Sequence, residues 1–367
     1  VAPAMPPNDD VTLGALDGIR IIDLTRVLAG PFCTQLLADY GAEVIKIERP
    51  GIGDDTRRWG PPYLQGVGGE DTTESAFYLS ANRNKRSVTI NISRPEGQNL
   101  IVRLLERADV LMENFRVGTL KRYGLGYDDL KGRFPKLVYC SITGFGQTGP
   151  YSARPGYDML AQGMGGIMSL TGEPEGQPMK LGIGIADIMT GMHAATAVLA
   201  ALRHRDRSGI GQHIDLALLD TQVSWLAYHA VEYLNTGTNP ERLGNGAAAV
   251  VPYGVYPTAD GHVIVAAGND DQFARLCEVV GRTDLTRDSR FAGNSQRIGN
   301  REALETTLCE IFVMRPTDEW VASLEQAGVP CGPINTVDRV FSDPQVRARG
   351  GAIQMPHSLS ATGTVGL

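Results

Sequence analysis

Two short apolar runs, IRIIDL (Ile19 to Leu24) and AEVIKIE (Ala42 to Glu48), bracket a stretch of helical texture from Pro31 to Tyr40. Pro31 suits a first helical turn, where a missing N–H costs nothing, and Gly41 suits the position just past the last turn. Strand, helix and strand at this spacing predict a parallel βαβ unit. The pattern recurs: SVTINI (Ser87 to Ile92) reads as a strand, Glu96 to Ala108 as a helix, DVLMEN (Asp109 to Asn114) and KLVYCSITG (Lys136 to Gly144) as strands. The alternation predicts an α/β fold with a doubly wound parallel sheet, which takes ligands at the carboxyl ends of its strands.

Beyond a Gly-rich tract from Gly156 to Gly184, a long helix is predicted over Ile188 to Arg205, then a turn, a strand and a second helix reaching about Leu234. The texture changes after Gly244 to Gly246. YGVYPTADGHVIVAAG (Tyr253 to Gly268) reads as a hairpin about Asp260-Gly261. Helical segments follow at Asp271 to Val280, Arg301 to Phe312 and Pro316 to Ala327. At roughly 150 residues per domain, 367 residues suggest two. The expected organisation is a disordered leader over 1–15, then a large α/β domain over 16–220, completed by about 330–367. A linker helix and a small α+β domain occupy 221–329.

A net charge of −7 argues against a nucleic-acid partner, which calls for positive charge opposite phosphates. Cys33, Cys140, Cys277, Cys309 and Cys331 form no CxxC pair or His/Cys cluster, so neither a metal site nor a disulfide framework is expected. No apolar run is expected to approach the roughly 18 to 20 residues needed to cross a bilayer, and VAPAMPPNDD has neither the basic nor the apolar stretch of a targeting peptide. A cytoplasmic address is expected, or a mitochondrial one if the source is eukaryotic and a signal has been cleaved. The turn TRVLAGP after the first strand carries one glycine, too few for a dinucleotide fingerprint. Walker A, G-x-S-x-G and HExxH patterns are likewise absent.

Bases are numerous in the α/β half: Arg26, Arg49, Arg57, Arg58, Arg83, Lys85, Arg86, Arg116, Lys121 and Arg122. Near strand ends they fit recognition of a phosphorylated small molecule, although from spacing alone an ordinary solvated surface is the simpler reading. Asp187, just before the long helix, reads as its N-cap. A carboxylate there would be kept ionised by the helix dipole, as a nucleophile must be. His193, His229, Asp158 and Asp220 read as packed, capping or ion-paired residues.

The blocks LDGIRIIDLTRVLAGPFCTQLLADYGAEVIKIERPGIGDDTR, NRNKRSV, VLMENFRVGTLKRYGLGYDDL, SITGFGQTGP, PGYDMLAQGMGGIMSLTG and ADIMTGMHAATAVLAALRHRDRSGIGQHID resemble, in order, those of the family III CoA-transferases (CaiB/BaiF type). The likeness runs from Leu16 to about Leu367. DLTRVLAGPF, RPGIGDDTR, YCSITGFGQTGP, VPYGVY and GVPCGPIN are most similar to the branch exchanging CoA between succinate and hydroxymethylglutarate. The resemblance implies a Rossmann-like large domain, a ring-shaped chain and an interlocked homodimer. It implies coenzyme A as co-substrate, no permanently bound cofactor, and acyl-CoA and small carboxylic acids as partners.

It further implies that Asp187 is the catalytic nucleophile, forming an aspartyl anhydride and then an aspartyl-CoA thioester. Arg26, Val27, Leu28 and Ala29 would line the thiol end of the CoA site. Arg49 would approach the nucleotide, with Asn84, Lys85, Asn114, Phe115 and Arg122 along the CoA path. Leu28 stands where formyl-CoA transferase has Gln, which favours a larger acyl group than formyl or oxalyl. Tyr157 stands where the α-methylacyl-CoA racemases have His, and a phenol is a poor base at neutral pH. Tyr157 is therefore expected to pack beside the glycine tract, and racemisation is the less favoured activity, as is a non-catalytic CoA-binding scaffold. Gly163, Gly165 and Gly166, or Gly244 to Gly246, are candidate lid hinges. A further strand or tail is expected beyond Leu367.

Overall fold

The computed structural model describes residues 14–367, so the Val1–Asp10 segment lies outside the described residues. Six strands make one parallel sheet: β1 (Arg20–Asp23), β2 (Glu43–Glu48), β3 (Lys85–Thr89), β4 (Val110–Glu113), β5 (Val138–Thr143) and β6 (His213–Ala217). Their order is β3-β2-β1-β4-β5-β6, so the winding reverses between β1 and β4. Such a reversal opens a crevice at the carboxyl ends of the strands.

Alternation along each strand explains why the sheet is covered on both faces, as parallel sheets are. Ile21, Val44, Val110, Met112, Val138 and Cys140 share one core with α1 (Ala29–Asp39) and, later in the chain, a helix spanning Ile185–Ser208. Ile22, Leu24, Ile47, Leu111 and Tyr139 share the other core with Ile101 and Leu105 of α2 (Pro95–Leu105). After α3 (Asp158–Met164) comes that long helix, α4 (Ile185–Ser208), followed by α5 (Leu218–Ser224) and α6 (Ala227–Thr236).

Two sequence expectations are corrected here. The long helix begins at Ile185 with Gly184 as its N-cap, so Asp187 lies within the first turn and does not cap it. By length and composition α4 is also apolar enough to cross a bilayer. Its Ala186, Thr190, Gly191, Ala194, Ala195, Val198, Ala201 and Leu202 are buried, which is the packing of a core helix.

The chain divides into two compact units. The first comprises residues up to Met168, Lys180–Asn239 and Gln354–Leu367; the second comprises Ser169–Met179 and Pro240–Ile353. The sequence reading put the crossing after residue 220 and the return near 330. It falls later because α6 continues to Gly237, whose φ of 73° ends the helix shortly before Pro240. The return is delayed because β9 (Cys331–Pro333) is bonded into the second unit's sheet.

That sheet is antiparallel, with β9 beside β8 (His262–Ala266) and β8 beside β7 (Tyr253–Pro257), the hairpin expected about Asp260-Gly261. It packs with α7 (Asp270–Val279), α8 (Arg301–Phe312) and α9 (Thr317–Gln326) through Val263, Val265, Phe273, Leu308, Phe312 and Trp320. Arg297 is fully buried in this core. It donates to the carbonyls of Val251 (2.6 Å) and Phe291 (3.2 Å) and to Asp270 (2.7 Å), so no charge is left unpaired.

Candidate active site

The turn joining β1 to α1 is held from beneath by buried charge. Asp23, wholly buried, accepts from the amide and hydroxyl of Thr25, the Thr34 hydroxyl (2.6 Å) and Lys85 Nζ (3.3 Å). Burial opposes its ionisation, yet Lys85 and Lys46 together with the hydroxyls of Thr25 and Thr34 outweigh that and hold its carboxyl below the ordinary range. Lys46 Nζ donates to the Thr25 carbonyl and to Asp54, both at 2.9 Å, and Asp54 in turn accepts from the Val27 amide at 3.3 Å. From the side, Asn114 clamps Arg26: its Oδ1 accepts the Arg26 amide (2.9 Å) and its Nδ2 donates to the Arg26 carbonyl (2.7 Å). Between these restraints Val27 takes φ 72°, a conformation costly for a β-branched residue and sustained by the surrounding bonds.

Gly191 sets the distance between α1 and α4. A Cβ there would come within 2.6 Å of the Ala29 carbonyl and 3.3 Å of the Cys33 amide, so only glycine lets the two helices meet. Their N-terminal ends are thereby brought together, and Leu28 lies against Gly184. Asp187, in the first turn of α4, faces a cleft of about 280 Å³ lined also by Arg26, Val27, Leu28, Ala29, Asn114 and Phe115. Arg116, Thr143, Gly144, Ser152, Arg154, Tyr157 and Leu218 complete its lining. Arg26 and Phe115 also border a second groove, about 270 Å³, with Arg49, Ile47, Asn91, Ile92, Thr119 and Tyr123. A ligand could therefore run from Asp187 past Arg26 to Arg49 along the strand ends.

Three expected CoA contacts lie elsewhere. Lys85 is buried under the turn, bonded to Asp23, the Pro31 carbonyl (2.8 Å) and Asn82 (3.0 Å). Asn84 donates to Asp39 at 2.8 Å, and Arg122 sits exposed in the Lys121–Tyr123 turn, where Tyr123 rather than Arg122 borders the groove. Tyr157 is 68% exposed and lines the cleft, where packing beside the glycine tract was expected. Gly165 and Gly166, considered as hinges, pack under Gln222 and Leu226.

Most of the basic cluster is neutralised locally: Arg57 by Glu48 and Glu74, Arg83 by Asp39, Arg86 by Glu43. Arg116 and Arg154 make no ion pair among the described residues, and both line the cleft. The Arg154 guanidinium lies over the rings of Tyr151 (4.5 Å) and Phe145 (5.3 Å). Nothing local in the sequence marks it, because its place in the cleft depends on the loop that closes with Gly156 against Gly144.

Asp187 is not held in the low range expected of a carboxylate at a helix N-terminus. Burial first, and the charge of Asp158 second, push its carboxyl up to about 7. Asp158 Oδ1 takes the amides of Ala186 (2.7 Å) and Asp187 (3.2 Å), the donors that would otherwise favour an anion at that helix end. The capping role read for Asp158 is thus the observed one, across from α3 to α4. A basic carboxylate in a partly enclosed cleft, with cations on the walls, can attack an electrophilic carbonyl carried by an anionic ligand.

The sequence profile of CoA-transferase family III matches residues 16–366. A succinate–glutarate CoA-transferase of Agrobacterium fabrum is 50% identical over 335 residues, covering 91% of this chain and 84% of its own length. The human succinyl-CoA:glutarate CoA-transferase is 44% identical over 352 residues, covering 96% and 79%. Among solved structures, a CaiB/BaiF family protein from Brucella suis superposes with a TM-score of 0.86 at 49% identity, covering 93% of this chain and 89% of that one. The chain belongs to CoA-transferase family III and is a CoA-transferase.

Proposed function

We propose that this enzyme moves CoA from succinyl-CoA or a related dicarboxyl-CoA to a dicarboxylic acid such as glutarate, with Asp187 as the covalent relay. The observation that carries this reading is the position of Asp187 at one end of a cleft continuing past Arg26 and Phe115 toward Arg49. Coenzyme A, as substrate, suits that course: phosphates near Arg26 and Arg49, adenine against Ile47, Ile92 and Tyr123, and the thioester beside Asp187. Leu28 at the acyl end suits a carbon chain longer than formyl. The relatives named for succinate and glutarate support the choice of acids.

The Asp187 carboxylate attacks the thioester carbonyl, forming a mixed anhydride and expelling CoA thiolate. The thiolate then attacks the aspartyl carbonyl, giving an aspartyl-CoA thioester and releasing the donor carboxylate. The acceptor carboxylate attacks that thioester, making a second anhydride and freeing the thiolate again. Attack of the thiolate on the acceptor's acyl carbon yields the new acyl-CoA and restores Asp187. Each step exchanges one acyl bond for another, so the thioester energy is carried through without ATP. Exclusion of water protects the anhydride. An interlocked homodimer is part of the proposal: Tyr228, Val231 and Leu234 of α6 stand 61–78% exposed and suit cover by a second copy.

The test is chemical trapping. Incubation with succinyl-CoA and hydroxylamine or borohydride, followed by peptide mass spectrometry, should place the adduct on Asp187. The Asp187→Ala variant should bind CoA and transfer nothing. An adduct elsewhere, or substantial transfer by the variant, overturns the reading.

A further inference from the structure

Asp158 is tied into the site more tightly than a surface cap needs to be. Its Oδ1 accepts two amides of the first turn of α4, and its Oδ2 accepts from Gln162 Nε2 at 2.6 Å. Gln162 is fully buried, and its Oε1 accepts the Leu181 amide at 3.0 Å, fixing the chain that leads into α4. Gly184 brings the backbone onto both Asp158 and Leu28: a Cβ there would lie 3.7 Å from the Asp158 carboxyl carbon and 3.1 Å from Leu28. One carboxylate thus braces the backbone that carries Asp187, and Leu28 packs against the same glycine.

We propose that Asp158 is a positioning residue for the transfer, fixing the turn from which Asp187 projects while claiming its amide donors and placing a second negative charge beside it. The proposal rests on Asp187 being the nucleophile. Two carboxylates sharing an enclosed site divide the roles: the one satisfied by amides holds the charge, and its neighbour becomes the more basic. Greater basicity makes the neighbour the better nucleophile, consistent with the elevation of Asp187 to about 7. Other groups near this end of α4 do not supply the effect. Arg26, Asp55, Arg116, Arg154 and Tyr157 line the cleft walls. Of the helices packed on α4, α1 carries Cys33 and Asp39, the latter paired with Arg83, and α5 carries Asp220. Beside burial it is the charge of Asp158 that raises the Asp187 carboxyl, and of these groups Asp158 is the one that accepts the amides of its turn.

The experiment uses Asp158→Asn, whose amide oxygen can still accept from the helix while the charge is gone. In the full-length enzyme the Asp187 carboxyl is titrated by ¹³C NMR of aspartate-labelled protein, assigned with Asp187→Asn, and the pH profile of kcat/KM is measured in parallel. The expected result is a fall of about one pH unit or more in both the NMR midpoint and the acid limb. The Asp158→Ala variant should lose about tenfold or more in kcat while CoA affinity changes little. A brace serving stability alone would lower the melting temperature and leave both midpoints in place, and that outcome overturns the proposal. Failure of the nucleophile reading looks different: Asp187→Asn would keep its transfer activity whatever the NMR titration of the Asp158 variant shows, and the proposal would fall with it.

Discussion

Replacing Asp187 with Asn should stabilise this enzyme at alkaline pH while removing its activity. The carboxyl is raised from an ordinary 3.8 to about 7. Between those values the folded chain keeps a proton that the unfolded chain has released, so stability falls as pH climbs from about 4 to about 7 and is level above. At about 1.4 kcal/mol per tenfold change in proton affinity, the ceiling on this penalty is about 4 kcal/mol. The cleft leaves Asp187 partly open to solvent, and screening reduces the figure to about 2 kcal/mol. Asparagine is neutral throughout and escapes it. For a body of this size the gain amounts to a rise in melting temperature of roughly 4–8 °C at pH 8, shrinking as the pH falls and the folded carboxyl regains its proton, and nearly gone by about pH 3. Calorimetric melts of both proteins at equal concentration across that range would measure it, with a transfer assay alongside. A difference that stays constant between pH 5 and pH 8, or a variant less stable than wild type at pH 8, would refute the reasoning.

Leu28→Gln puts an amide at the acyl end of the cleft. It should raise KM for four- and five-carbon dicarboxylates several-fold relative to oxalate, read from kcat/KM across a panel of acceptors; an unchanged ranking would remove Leu28 as a specificity residue. Lys46→Met strands the buried Asp54 carboxylate beneath Val27 and should cost about 3–5 kcal/mol in urea unfolding. Pairing it with Asp54→Asn should recover part of the loss, and no recovery would mean that packing, rather than the stranded charge, carries the cost.

What the linear order of residues could dictate was local. The apolar runs at Ile19, Ala42, Asp109 and Lys136, with Pro31 and Gly41 as punctuation, were enough to specify strands and helices. They specified a parallel sheet as well, because period and capping act within a few residues. Asp187 and the Arg26–Ala29 turn were singled out through blocks shared with a known family, and the fold brings them to one cleft. Folding decided the rest, since charge compensation and solvent access depend on what comes near from far along the chain. Lys85 read as a ligand contact until it was found under the turn, neutralising Asp23. Arg154 carried no signal, and only the fold of its loop brings it to the cleft lining. Asp187 looked like a helix cap, but Asp158, twenty-nine positions earlier, takes the amides that would have stabilised its charge. A carboxylate's basicity is set by its neighbours in space, and only the folded chain brings those neighbours together.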